Sequence, residues 1–501
     1  MKKAIRKSML GMCFCILSFT ASSISALTLN EAIQLALDNN LIIKAQSINV
    51  ALGTEGINIA EGQNAPSFFS SVNYEDLSRR QNAIEFTSTG ELNLDRIFEE
   101  DNLRSAAGVR YRTIYGTQIE AGVQASRLEN TITRSGGASI FDPEYQSTVS
   151  LSVIQPLLKN FSTDSNLIEQ NLASIEAKRS EAEYDLVLTN QMIELLNVFY
   201  DCLFGQENLA AKLQSVETAN ALLESNKSRQ SAGQMSPIDV SIAEVRVSEA
   251  QEEAWLAESF LNDSKSALLK LLGISDTSLD FEVEGEITAQ SPRLDMQELI
   301  ASALSNRPDI QLAIAAVEEE EARSRYTKDQ ARPELNLNLS YGLNGLNESV
   351  DSSLERALEN READFRVGIS FEMPLSDRSA TASVRAAAYS VERANIQLTQ
   401  LKSSISIDVQ NSVKRLQSIL QRIQATERSL IVAEQALAAE QKRLDNGQST
   451  TFDVIQLQET MSSAHTRVLA SQVDAIKALN QIYAVTGQLP ELHQFSVPSS
   501  R

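Results

Sequence analysis

Glu334-Leu-Asn-Leu-Asn-Leu-Ser-Tyr-Gly-Leu343 places an apolar side chain at every second position, with Asn, Ser or Gly between them. A period of two is that of an extended strand with one apolar and one polar face. The stretch begins just after Pro333, and the pattern returns at Phe365, Val367, Ile369, Phe371 and Met373, where Pro374 stops it. Weaker copies follow Pro66, at Phe68, Ser70, Val72 and Tyr74, and precede Pro156, at Val149, Leu151 and Val153. The sequence therefore predicts at least four strands, two in each half of the chain.

The halves match beyond these strands. Leu27-Thr-Leu-Asn-Glu-Ala-Ile-Gln-Leu-Ala-Leu-Asp-Asn39 corresponds to Leu294-Asp-Met-Gln-Glu-Leu-Ile-Ala-Ser-Ala-Leu-Ser-Asn306 at a spacing of 267, which also carries Pro66 onto Pro333 and Tyr74 onto Tyr341. Pro156-Leu157 matches Pro374-Leu375 at a spacing of 218. Arg229, Gly233-Gln234, Asp239-Val240 and Gly273 match Arg443, Gly447-Gln448, Asp453-Val454 and Gly487 at 214. Shared helical composition does not reproduce prolines and glycines in one order, so the chain reads as one design used twice. Residues 27–293 form the first repeat and 294–501 the second.

The drop in spacing from 267 to 218 puts 49 extra residues between the two prolines of the first half. Within that region, near residues 80–145, Val109, Tyr111, Thr113 and Tyr115, then Ile119, Ala121, Val123 and Ala125, alternate about Gly116. They could add strands, form an outer flap or fold inside a lumen, and the pattern alone does not choose.

After its strands each half switches to long helix. Residues 165–230 and 380–444 hold no proline and no glycine except Gly205. One continuous helix of that length would span about 100 Å. Val454, Leu457, Met461, Ala464 and Val468 then repeat at the alternating three and four of a coiled-coil seam. Gly233 and Gly447 suit the left-handed residue that ends a helix, with Arg229 and Arg443 in the last turn complementing its negative end. Ser236 reads as N-cap, Pro237 as first helical residue and Asp239 as the third, and Thr450, Thr451, Phe452 and Asp453 repeat the arrangement. Each half is thus a long helical hairpin with a tight tip.

The first residues read as an export leader. Lys2, Lys3, Arg6 and Lys7 precede an apolar core from Met9 to Leu17, and Ala21-Ser-Ser-Ile-Ser-Ala26 offers cleavage after Ala26. Cys13 and Cys15 lie inside that core, too early for a lipoprotein cleavage, and leave with it, so only Cys202 remains and a disulfide framework within one chain is excluded. The formal charge is −22, and losing the leader's four cations would make it −26. So acidic a chain lacks the basic footprint of a nucleic-acid binder.

Nothing points to an enzyme. The phosphate loop, the dinucleotide fingerprint and the Gly-x-Ser-x-Gly elbow are all missing. His465 and His493 stand without ligand-spaced partners, Glu318 to Glu321 reads as a solvated helix face, and Cys202 beside Leu203 and Phe204 reads as buried. No cofactor or metal is expected.

The strands decide the architecture. Four strands are too few for a single-chain barrel, which needs about eight, and left open they would expose edges and an apolar face. Joining copies removes both problems: at four strands each, a dimer closes eight and a trimer twelve. The fold class expected is mainly α with β, long coiled-coil hairpins with a membrane β-barrel built jointly by several chains. The alternative is a periplasmic coiled-coil scaffold without a pore, which has no use for a lipid-facing strand surface.

Duplicated strand–helix halves, the strand end Gln155-Pro-Leu-Leu158 and two Gly-x-x-Ser/Thr-x-x-Asp-Val tips together resemble the TolC-like outer-membrane efflux protein family. The resemblance covers essentially the whole chain after the leader. It implies a homotrimer with a twelve-stranded barrel in the lipid of the outer membrane and an α-barrel tunnel across the periplasm. It also implies docking through a periplasmic adaptor onto an inner-membrane transporter, so that the chain is the passive exit duct of a tripartite efflux or type I secretion system. Asp239 and Asp453 would then lie near the tip as a gate, although an acid three residues after Ser or Thr is what a capping arrangement wants. The family's second acidic constriction position matches Gln456, which lowers the charge of any ring. Arg229, Gly233, Arg443 and Gly447 are the candidates for adaptor contact.

Overall fold

A computed structural model describes residues 26–89, 97–134, 141–276, 279–289, 291–359 and 361–492. The expected leader, apart from Ala26, and His493 lie outside the described residues. After β1 (Leu27–Thr28), helices α1 (Leu29–Asn39) and α2 (Leu41–Gly62) lead into β2 (Ser67–Arg80), α3 (Ala83–Thr89), β3 (Ile97–Arg112), β4 (Gln118–Asn130), α4 (Thr131–Arg134) and β5 (Glu144–Pro156). The short α5 (Thr163–Asn166) precedes the helical hairpin of α6 (Ile168–Ser231) and α7 (Pro237–Leu271), and β6 (Val283–Glu284) follows. The second half runs through α8 (Met296–Asn306), α9 (Pro308–Gln330), β7 (Glu334–Asn347), α10 (Val350–Leu358) and β8 (Ala363–Glu372). It continues into the hairpin of α11 (Arg378–Asp445) and α12 (Thr451–Val485) and ends with α13 (Leu489–Leu492).

Two compact units draw on both repeats: the described parts of 1–45, 187–307 and 405–501 form one, and 46–186 with 308–404 the other. The second contains one antiparallel sheet of six strands in the order β2-β3-β4-β5-β7-β8. Six strands meet the expected minimum of four. The inserted residues form β3 and β4, a hairpin that turns at Gly116 and lies inside the sheet between β2 and β5. Of the three roles the sequence left open, added strands is the one observed.

The register keeps the two faces separate across all six strands. One cross-sheet row is Phe68, Val109, Ala121, Leu151, Tyr341 and Phe365. The adjacent row on the opposite face is Ser67, Arg110, Glu120, Ser152, Ser340 and Arg366. On β8, Phe365, Val367, Ile369 and Phe371 are 59–71% exposed within one chain. The outer edges of β2 and β8 have no pairing partner among the described residues.

In the same unit the acidic run is a partly exposed helix face that carries ion pairs. Glu318 pairs with Lys178 at 3.4 Å, Glu319 with Arg179 at 3.4 Å and Arg323 at 2.9 Å, and Glu320 with Arg393 at 3.5 Å. Helices α6 and α11 bring cations to α9, which is why these acids are partly buried and paired. Asp329, at the foot of α9, is 4% exposed and accepts from the Asn160 N–H at 2.8 Å and the Ser165 hydroxyl. It thereby ties the chain's exit from β5 to its entry into β7.

The other unit holds the tip-side parts of the helical hairpins, from residue 187 of α6 and residue 405 of α11. Helix α6 runs 64 residues and α11 runs 68 without a break, as the proline-free stretches with Gly205 as their one glycine predict. Four helix ends share one geometry. The N–H groups of Gly233 and Gln234 return to the carbonyls of Gln230 and Arg229, both at 2.9 Å, and those of Gly447 and Gln448 return to Leu444 and Arg443 at 3.0 and 2.8 Å. Gly273 and Gly487 close α7 and α12 in the same way. All four glycines have φ between +70 and +74°, the left-handed conformation of this closure. A Cβ on Gly273 would also stand 2.5 Å from the Asn39 carbonyl, and one on Gly487 2.9 Å from Asn306, so α1 and α8 pack against equivalent turns.

Among the described residues no helix is long and apolar enough to cross a membrane. The largest fully buried side chains include Phe199, Met192, Leu195, Leu196, Leu268, Ile405, Leu416 and Ile482, all in the hairpin unit.

Candidate functional site at the hairpin tips

The two tips meet each other, although their sequences are nearly equivalent. Val454 on α12 packs with Leu437 and Leu444 on α11, and Leu222 and Met235 of the first hairpin close over this cluster. Of the expected seam, Val454, Ala464 and Val468 are buried, while Leu457 and Met461 are partly covered.

Above this apolar layer the contacts are polar and asymmetric. Arg229 was expected to complement its own helix end. Its guanidinium instead reaches α11, donating to the Leu444 carbonyl at 3.2 Å and to Asp445 Oδ1 at 2.7 Å. The cation thus sits at the negative end of the neighbouring helix, where exposed carbonyls attract it as its own would. Arg443 remains local: it pairs with Glu440 at 2.9 Å and donates to the Gln448 carbonyl at 3.2 Å.

One turn deeper, Asn226 is fully buried and its side-chain amide donates to Thr451 Oγ1 at 3.1 Å and to the Asp239 carbonyl at 3.3 Å. The buried Asn226 Oδ1 has no hydrogen-bond partner. Sequence reading did not single out Asn226, Thr451 or Asp445. A signal was present, because Asn226, Ser231 and Pro237 fall on Glu440, Asp445 and Thr451 at the repeat spacing of 214. At all three positions the counterpart in the other repeat is a different residue.

Asp239 and Asp453 both occupy the third position of a reciprocal capping box, with Ser236 and Thr450 as N-caps. The Thr450 hydroxyl donates to Asp453 Oδ2 at 2.6 Å and its N–H at 3.3 Å, and these donors hold the carboxyl below the ordinary carboxylate range. Gln456 is exposed one turn after Asp453. Gly233 and Gly447 are exposed, and a side chain there would meet nothing within 4 Å, so the positive φ is their structural demand for glycine.

Farther along the same hairpins, Arg246 is 2% exposed and lies 3.5 Å from Glu253 and 4.0 Å from Glu459. Lys212 bonds Glu253 at 2.9 Å and the Ser462 hydroxyl at 3.0 Å, giving a second cross-link between the hairpins. Cys202 is buried, and loss of solvent pushes its thiol up to about 12. Among the described residues no cluster of His, Cys, Asp and Glu is arranged to hold a metal ion. What the tips contain is helix capping, an apolar seam and ion pairs: the means of holding two helical hairpins together.

Comparison with known proteins adds the relatives. Residues 116–274 and 299–488 match the family described as Outer membrane efflux protein. Outer membrane protein TolC of Vibrio cholerae is 23% identical over 337 residues, covering 66% of this chain and 76% of that protein. The cobalt-zinc-cadmium resistance protein CzcC of Cupriavidus metallidurans is 21% identical over 59% of this chain and 67% of its own length. The solved structure of VceC from Vibrio cholerae superposes with a TM-score of 0.65 at 16% identity, covering 91% of this chain and 95% of that one. The open-state MtrE channel of Neisseria gonorrhoeae gives 0.61 at 15% identity, with 94% of each chain covered.

Proposed function

Because the chain belongs to the outer membrane efflux protein family, an outer-membrane exit duct of efflux systems, we propose that copies of it close the six-stranded sheets into one membrane barrel that the helical hairpins continue into the periplasm. The observation that carries the reading is the sheet itself. A row of apolar side chains crosses all six strands of the sheet, the opposite face carries Ser, Asn, Gly, Arg and Glu, and among the described residues neither outer edge has a pairing partner. Unpaired strand edges do not persist in hydrocarbon, so the sheet must be closed by like sheets before it enters lipid. The family relationship supports three copies. A pore-free scaffold would leave the apolar face without a role.

Energy for transport would come from an inner-membrane transporter reached through a periplasmic adaptor. At the tip, Asp239 and Asp453 serve first as caps and second as fixed negative charge around the entrance, with Gln456 neutral beside them. Arg443, Gly233 and Gly447 remain exposed and available to an adaptor, whereas the Arg229 guanidinium is engaged on α11.

Planar-bilayer recording tests both levels. The purified protein should conduct, and Gln456→Asp should raise the preference for cations over anions about two-fold or more. Absence of conductance contradicts the duct; conductance with unchanged selectivity places Gln456 away from the constriction.

A further inference from the structure

We infer that the hairpin of β3 and β4 is part of the membrane wall, so that the assembled barrel has six strands from each chain and a pore wider than four strands per chain would enclose. The inference rests on the shared barrel proposed above and adds what its wall is made of.

Three observations support it. The hairpin is bonded on both sides: β3 pairs with β2 from Ser67↔Arg110 to Arg80↔Ile97, and β4 pairs with β5 from Gln118↔Ile154 to Leu128↔Glu144. A flap or a plug would leave β2 and β5 neighbours, but here they are separated. The four strands concerned have 13 to 16 residues each, enough for the 9–11 that a tilted strand needs to cross hydrocarbon.

The faces of the hairpin are in phase with the rest of the sheet. Val109 and Ala121 join Phe68, Leu151, Tyr341 and Phe365 in one row, and Tyr111 and Ile119 join Val153, Leu339 and Val367 in another. On the polar face Gly108 and Gly122 lie in a row with Phe69, Ser150, Gly342 and Asp364. A Cβ on Gly108 would be 2.8 Å from the Phe69 ring, and the Arg110 guanidinium lies over that ring, 4.0 Å from its centre. The aromatic ring is laid against the wall instead of projecting from it.

The turn of the hairpin is anchored. Gly116 has φ +75°, and a Cβ there would stand 2.2 Å from the Asn160 carbonyl and 2.9 Å from Pro156. The Thr117 hydroxyl donates to Gln155 at 2.5 Å. The turn is therefore seated where β5 leaves the sheet for the helices, as a wall strand at that end requires.

Barrel diameter grows about linearly with strand number, and walls of 16–18 strands leave an aqueous channel. Three chains of six strands give eighteen, about 1.5 times the diameter of twelve. With short polar side chains along much of its inner face, such a barrel would not be the narrowest part of the path. The size limit on cargo would then fall to the helical tips.

Single-tryptophan scanning in vesicles of brominated lipid tests the placement. In a Trp255→Phe background, Val123→Trp and Gln124→Trp probe the two faces of β4, and Val367→Trp on β8 is the control for the wall. The inference predicts strong quenching of Val123→Trp and Val367→Trp and little of Gln124→Trp. Quenching of Val367→Trp without Val123→Trp would remove the hairpin from the wall and leave the shared barrel standing. Quenching of neither would overturn both. Electron cryo-microscopy of the intact assembly gives an independent strand count, with eighteen expected and twelve contradicting the inference.

Discussion

Asp453 has a folding role in its capping box, and in the proposed duct the same carboxylate would add entrance charge. Its carboxylate receives the Thr450 hydroxyl and N–H, so its folded pKa lies below the 3.8 of an ordinary aspartate. A depressed carboxylate contributes stability that is full above the unfolded value and is lost as pH falls through the folded one. The thermal midpoint of the native protein should therefore fall more steeply below pH 3.8 than that of Asp453→Asn, and parallel curves would contradict the assignment. Cys202 makes an opposite prediction of silence. A buried thiol held at about 12 has almost no thiolate, so it should resist maleimide at pH 8 until the chain unfolds. Rapid labelling of the folded protein would show that the hairpin interior opens.

Among the elements, the hairpins were legible in sequence because long helices need only the absence of Gly and Pro, and their ends need one residue that adopts positive φ. Gly233, Gly273, Gly447 and Gly487 do so. The contacts between hairpins were less legible, since long side chains cross between helices at positions that no periodicity marks. Arg229 and Arg443 occupy matched places in the repeat, yet one reaches the neighbouring helix and the other its own turn. Arg229→Ala should therefore loosen the docking of the two tips by about 1 kcal/mol, the worth of an ordinary hydrogen bond, and raise basal conductance. Arg443→Ala should change basal conductance little. Equal effects would mean that the Arg229 link to Leu444 and Asp445 does not hold the tips.

For the whole molecule, the period of two in Leu335 to Leu343 was sufficient to suggest the shared barrel proposed here, because it gives the sheet an apolar face and edges that one chain does not hide. The place of the insertion was not readable. Val109 to Ala125 alternates as a strand pair does, but alternation says nothing of neighbours, and the same residues would suit a flap. Only the register, with Val109 opposite Phe68 and Ala121 opposite Leu151, places them in the sheet. The ion pairs of the acidic run at Glu318 to Glu321 were not legible for a similar reason, since the partners Lys178, Arg179 and Arg393 lie on helices distant in sequence.

The central claim, that sheets of several copies share one barrel, is tested most directly by joining their edges. One cysteine replaces Val72 on β2 and a second is moved along β8 through Phe365, Val367, Ile369 and Phe371, followed by oxidation in the membrane. The account predicts that at least one pairing yields a covalent ring of three chains on a denaturing gel and nothing larger. Disulfides formed only within single chains, or none at any β8 position, would contradict it.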